Sequence, residues 1–230
     1  MFEACDLGVR LCQSTARSVY TCYLAVAVPL VAIAMSGLLL ADWLPILLIW
    51  CAKPWLDRTI LFALSRALFG EKTQLADLWA SRREVWGRGL LHTWLLRRLS
   101  TRRSYTQPVY QLEGLRGKAR RSRLALMRGP YSYTSLLVTQ LFVIAEFALW
   151  ASGVWLIVWM TPSPAILDWS NVAEHFLQSQ GPALSSLMYG AVVCALEPVY
   201  VAAGFGMYLN RRVELEAWDI EQEFRSAFAT

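Results

Sequence analysis

The chain has 230 residues, of which 56% are apolar and only 17% charged, and its mean hydropathy is +0.37. Soluble domains average roughly 45–50% apolar and 25% charged residues, so this composition excludes a disordered chain, a disulfide scaffold and an ordinary water-solvated fold. Lys and Arg number 22 against 17 Asp and Glu, a net charge of +5, and the placement of those charges says more than their sum.

In chain order, residues 1–20 put Ala4, Leu7 and Leu11 at helical spacing among Glu3, Asp6, Arg10 and Arg17, which predicts a short interfacial helix. From Ser18 to Ala41 there are 24 residues without Lys, Arg, Asp, Glu or His. About 20 residues at 1.5 Å each cross the hydrocarbon core, so a first span is expected over 18–41, kinked at Pro29. Ala32-Ile33-Ala34 resembles a signal-peptidase site, but the apolar run continues to Ala41, and an uncleaved span is expected.

Trp43–Leu64 is apolar except for Lys53, Pro54, Asp57 and Arg58. A Pro-kinked span over 43–64 and a short span followed by an interfacial segment both fit. The spanning helix is adopted, because the turn at Asp42 leaves no other route back across a bilayer. Gly70 then reads as a helix stop and Thr73 as the cap of a new helix, with Leu75, Leu78, Trp79, Trp86 and Leu90 on one face and Arg82 and Arg83 in or beside it. Such a helix lies on the inner leaflet, its Arg heads reaching lipid phosphates, or packs on the protein's own bundle.

The 66–130 segment holds 15 basic residues, densest around Arg97, Arg98, Arg102 and Arg103 and around Arg116, Lys118, Arg120, Arg121, Arg123 and Arg128. These runs abut the spans, so anionic lipid or a partner protein, rather than nucleic acid, is their expected contact. Further spans are predicted over 134–160 and 183–209, separated by the Thr161–Gly181 loop. The tail, 213–230, carries five acids against Arg225, with Val213, Ala217, Ile220, Phe224 and Phe228 at helical spacing, and is expected to dock on the basic 82–128 region of this chain or a neighbour.

Neither inter-span loop, around Asp42 or across Thr161–Gly181, holds a Lys or Arg. The positive-inside bias therefore predicts four spans with both termini and the basic segment in the cytoplasm. Cys5, Cys12, Cys22, Cys51 and Cys194 form no C-x-x-C pair and are expected to be free thiols.

Within the predicted spans, Glu146 and Glu197 each lie about 18 Å from the inner face and Lys53 about 14 Å from the outer one, with Asp57 and Arg58 a turn further in. Lys53, Asp57, Arg58, Glu146 and Glu197 therefore form a candidate intramembrane cluster. It reads either as a site for an ion, a proton or a lipid headgroup, or as a structural network that fixes helix register. His92 and His175 lie outside the spans, and neither a P-loop nor a G-x-S-x-G elbow occurs, so no cofactor, metal site or enzymatic activity is expected.

Several strings carry a family resemblance: Lys53-Pro54-Trp55-Leu56-Asp57-Arg58, Leu68-Phe69-Gly70-Glu71, Tyr110–Gly117 (YQLEGLRG) and Gly204–Arg212 (GFGMYLNRR), the last continuing as Glu214–Glu221 (ELEAWDIE). Together they resemble an uncharacterised family of proteobacterial inner-membrane proteins often encoded near MoxR-type ATPases and membrane-anchored von Willebrand factor A proteins. The layout is also distantly similar to the membrane domain of some glycerophosphodiester phosphodiesterases, whose catalytic domain is lacking here. The resemblance implies a bacterial inner-membrane location and no activity. The reading is an all-α polytopic membrane protein with about four transmembrane helices and cytoplasmic amphipathic helices. Its expected role is that of a non-enzymatic accessory or scaffold subunit contacting lipid and other membrane proteins or itself. The alternative is a small transporter or lipid-handling protein that uses the intramembrane charges.

Overall fold

The computed structural model describes residues 2–87, 101–129, 131–160 and 181–227, and every regular element among them is helical. In chain order these are α1 (Phe2–Ser14), α2 (Ala16–Met35) with a 3-10 turn (Ser36–Leu39), α3 (Leu44–Ala67), α4 (Leu75–Ala80), α5 (Arg82–Val85), α6 (Arg103–Gln111), α7 (Gly117–Arg128), α8 (Ser132–Met160) and α9 (Gly181–Ala227). Three stretches are long and apolar enough to cross a membrane: Ala16–Leu39, Ser132–Met160 and Gly181–Ala217. The 24-residue α3 is a fourth long helix, set apart by Lys53, Asp57, Arg58 and Arg66. It starts with Pro45 in its first turn, where a missing amide costs nothing, and continues through Pro54.

The axis of the bundle is α9, against which α1, α2, α3, α6 and α8 all pack. Toward its N-terminal end, Tyr189 and Val193 form a small core with Ala34 and Ile49. Toward its middle, Val201, Phe205, Met207 and Tyr208 join Tyr23, Leu56, Ile60, Leu64, Tyr105 and Val109 in the main core. Two tyrosines of α2 tie it to α9, with Tyr20 donating to the Ala195 carbonyl (2.9 Å) and Tyr23 to the Val193 carbonyl (3.1 Å).

The expected interfacial helix at the N-terminus is instead part of the bundle. The buried face of α1 is Ala4, Gly8 and Cys12, while Leu7 is exposed. A Cβ at Gly8 would overlap the Ala202 carbonyl, and one at Gly206 would overlap the Ala4 carbonyl, so two glycines bring α1 and α9 to backbone contact. Close approach of this kind is how small residues pack helices where hydrophobic burial contributes little. Cys12 is buried, which pushes its thiol up to about 11, so native protein at neutral pH should resist maleimide at Cys12. Introducing Gly8→Leu should separate α1 from α9 and raise Cys12 labelling at least several-fold, read by peptide mass spectrometry. All five cysteines are free thiols.

The helix expected from Thr73 is shorter and starts later. Gly70 does end the preceding helix with a positive φ of 75°. Thr73 is buried and its carbonyl accepts the Ser18 hydroxyl at 2.8 Å. The cap is Gln74, whose amide donates to the Asp77 carboxylate at 2.9 Å. Ser81 then divides α4 from α5. Of the two readings offered for this region, packing on the bundle holds for Leu78, Val85 and Trp86, the last tilted against Trp55 with ring centres 5.2 Å apart. Phe69, Leu75 and Trp79 are left exposed.

Candidate functional site

The α6 helix is the feature that shapes the site. Its sequence, RSYTQPVYQ, is polar, yet Arg103 through Val109 are all buried. A polar segment can be buried only where its groups find partners. Tyr105 donates to the Met127 carbonyl at 2.7 Å, and Gln111 donates to the Arg58 carbonyl at 2.9 Å. The Ser104 amide donates to the Tyr200 hydroxyl at 3.3 Å. Gly204 makes the approach possible, because a Cβ there would overlap the Ser104 side chain.

Seated in this way, α6 delivers Arg103 to the charged residues of the long helices. Lys53 of α3 places its Nζ 2.6 Å from Glu146 Oε2 on α8 and 2.8 Å from Glu197 Oε2 on α9. Arg103 ion-pairs with Glu197 through its terminal nitrogen and lies 2.7 Å from Asp57 Oδ2 through Nε. The second contact is a charge contact rather than a directed hydrogen bond, since neither atom has an aligned partner. The Arg103 guanidinium also sits 5.4 Å from the centre of the Tyr200 ring. Asp57 and Glu197 have side-chain exposures of 0% and 2%, whereas Glu146, at 16%, is the most open member of the cluster.

Of the five residues predicted for the cluster, Lys53, Asp57, Glu146 and Glu197 come together. Arg58 points elsewhere and donates to the Val85 carbonyl at 3.2 Å. Arg103, expected at a lipid or partner surface, is corrected here. It is a buried counter-ion, because the excess carboxylate of the long helices requires a cation that Arg58 does not supply. The sequence did hold a signal for this, since the predicted cluster had more acids than bases even with Arg58 included.

The other basic residues divide. Arg82 and Arg83 are exposed, and Arg82 stacks on Trp79 at 5.3 Å. Arg102 donates to the Ser132 carbonyl at 3.0 Å. Arg120 lies over Tyr110 at 4.9 Å, Arg121 is exposed, and Arg123 pairs with Glu113 at 3.0 Å. Arg97, Arg98 and the Thr161–Gln180 part of the loop lie outside the described residues, as do the tail side chains from Trp218 onward. Before that point Glu214 pairs with Arg211 and Glu216 with Arg212, and Glu214 also accepts the Tyr131 hydroxyl at 2.6 Å.

The charges do not simply close on one another. A cavity of about 410 Å³ opens beside them between α3, α8 and α9, with Lys53, Arg103, Glu146 and Glu197 in its wall. Phe142, Val143 and Phe147 of α8 form its side, with Val143 and Phe147 exposed. The chain matches no family model, no curated protein and no solved structure. Among the described residues, no group of three or more His, Cys, Asp or Glu side chains is arranged to hold a metal ion.

Proposed function

We propose that the protein is a four-span, non-enzymatic protein of a bacterial inner membrane, with both termini cytoplasmic, that binds a small polar or amphipathic molecule in the α3–α8–α9 cavity. Three long apolar helices support the membrane reading. Burial of Lys53, Asp57 and Arg58 inside protein supports α3 as the fourth span, since charges in a membrane helix are tolerated when they face the bundle and pair. The observation that carries the binding role is the cavity itself. A purely structural ion network has no need of an adjoining space of about 410 Å³, a volume at the lower end of the range for small-molecule sites.

The test is to fill the cavity without touching a charge. Val143→Trp should leave thermal unfolding in detergent close to wild type while removing co-purifying small molecules or lipids from the native mass spectrum. Identical spectra for the two proteins would count against a binding role. Cysteines introduced within 161–181 should be labelled only from the side opposite to those within 116–128.

A second reading, an accessory or scaffold subunit, draws on one observation. Leu141, Ile144, Trp155, Leu156 and Trp159 of α8 are all exposed, a face that a partner helix would cover as well as lipid does. The resemblance to proteins encoded beside ATPase genes points the same way. A monodisperse monomer with no co-purifying protein in mild detergent would remove this reading.

A further inference from the structure

We infer that the α3–α8–α9 cavity takes an ammonium group, carried by an amphiphile whose apolar part leaves past Val143 and Phe147. This deepens the binding role proposed above and depends on it.

Charge is the first ground. Among the described residues of the cluster, three carboxylates face two cations: Lys53 is shared by Glu146 and Glu197, and Arg103 by Asp57 and Glu197. Both cations are thus engaged by two acids each, and neither is left free to meet an incoming anion. Glu146 is the member most open to the cavity, and it shares its only described cation with Glu197. An incoming cation gives Glu146 a partner of its own beside its share of Lys53. An incoming anion would meet Glu146 and Glu197 and would have to displace one of them from Lys53, leaving a buried carboxylate unpaired.

The walls are the second ground, independent of the first. Trp50, Phe142, Phe147, Trp150, Tyr189 and Tyr200 all line the cavity. Aromatic faces carry negative quadrupole density, and an aromatic enclosure beside a carboxylate is the chemistry that recognises ammonium groups. The position of the opening supplies the apolar tail: Val143 and Phe147 are 52% and 65% exposed, on the same helix as the uncovered apolar face of α8.

The amine has two possible sources, a lipid headgroup and a free small amine, and the experiment separates them. Full-length protein in nanodiscs would be compared by native mass spectrometry after release from phosphatidylethanolamine, phosphatidylcholine or phosphatidylglycerol with identical acyl chains. Free ethanolamine, titrated against protein in phosphatidylglycerol discs, forms the fourth arm. Retention of the two ammonium lipids at least tenfold above phosphatidylglycerol, falling to the phosphatidylglycerol level in both Glu146→Gln and Val143→Trp, is the expected result. Saturable ethanolamine binding with the same dependence on both variants would also support the inference and would identify a free amine as the source. Equal or stronger retention of phosphatidylglycerol, lost in Val143→Trp, would overturn the ammonium assignment while leaving the cavity as a ligand site. Retention that no variant alters, with folded protein, would overturn both. Val143→Trp keeps the test decisive if Glu146→Gln fails to fold.

Discussion

Replacing Arg103 with Met should destabilise the protein by about 3–5 kcal/mol, the cost of leaving a buried ionised partner without its counter-ion. Met is long enough to fill the space of the Arg stem, so little of the loss is packing. What remains behind is Asp57, fully buried and without Arg103, and Glu197, which keeps Lys53 on one oxygen and loses Arg103 from the other. Reversible unfolding in detergent by added denaturing surfactant would measure the effect, and a midpoint temperature lowered on the order of 10 °C is the thermal equivalent for a chain of this size. The cause can be isolated. Adding Asp57→Asn to Arg103→Met removes one orphaned charge, so the double variant should be more stable than Arg103→Met alone. An Arg103→Met protein that unfolds like wild type would mean that Asp57 and Glu197 are compensated elsewhere.

The second large effect concerns how Arg103 reaches the cluster. A Gly204→Val substitution places a side chain where Ser104 sits, and overlap with the Ser104 backbone cannot be relieved by a rotamer change. Overpacking alone costs about 1–3 kcal/mol. Here α6 must also move away from α9, which withdraws Arg103 from Glu197 and breaks the bond from the Ser104 amide to Tyr200. The loss should therefore exceed the overpacking range. Because it acts partly through the same ion pair, Gly204→Val and Arg103→Met should combine to less than the sum of their separate effects. Strict additivity would show that the close approach of α6 and the seating of Arg103 are independent. Gly204→Ala is the milder control, since a single methyl meets Ser104 with less volume to accommodate.

These two experiments bear on the same physical point. A charge buried in a helical bundle is held by partners from several helices, and the partners arrive only if the backbones come close enough. Gly204 admits α6, and Gly8 with Gly206 admits α1. The result is a half-bundle in which α3 from Leu56 to Leu64 is enclosed by protein on nearly all sides, next to a half in which α8 is almost bare. The cavity lies at the boundary between them, walled by charged and aromatic side chains together.

Much of this arrangement was readable before any fold was known. Long runs without charge mark the three apolar helices, and the lone acids of 134–160 and 183–209, with Lys53, Asp57 and Arg58 in 43–64, mark residues needing company. Gly70 as a helix stop followed from its freedom to adopt positive φ. The cap of α4 lies one residue beyond the expected Thr73, because Thr73 and Gln74 are both able to precede a helix. Which of them caps is decided by Thr73 being drawn to Ser18, 55 residues away in sequence. The packing of α1 on the bundle does not show in the apolar spacing of Ala4, Leu7 and Leu11 within residues 1–20, of which Leu7 is exposed. The buried stripe of Ala4, Gly8 and Cys12 carries almost no hydrophobic signal.

Composition and charge order alone thus determined the helical class, the apolar stretches long enough to cross a bilayer, and the need of the acids within the long helices for counter-ions. Those properties are sums or periodicities along the chain, and they need no distant contact to be read. Tertiary structure alone decided that Arg103, not Arg58, completes the network, that the polar α6 is buried, and that a cavity adjoins the charges. Each of these depends on which distant backbones touch, and a glycine permitting contact looks the same in sequence as one that merely ends a helix.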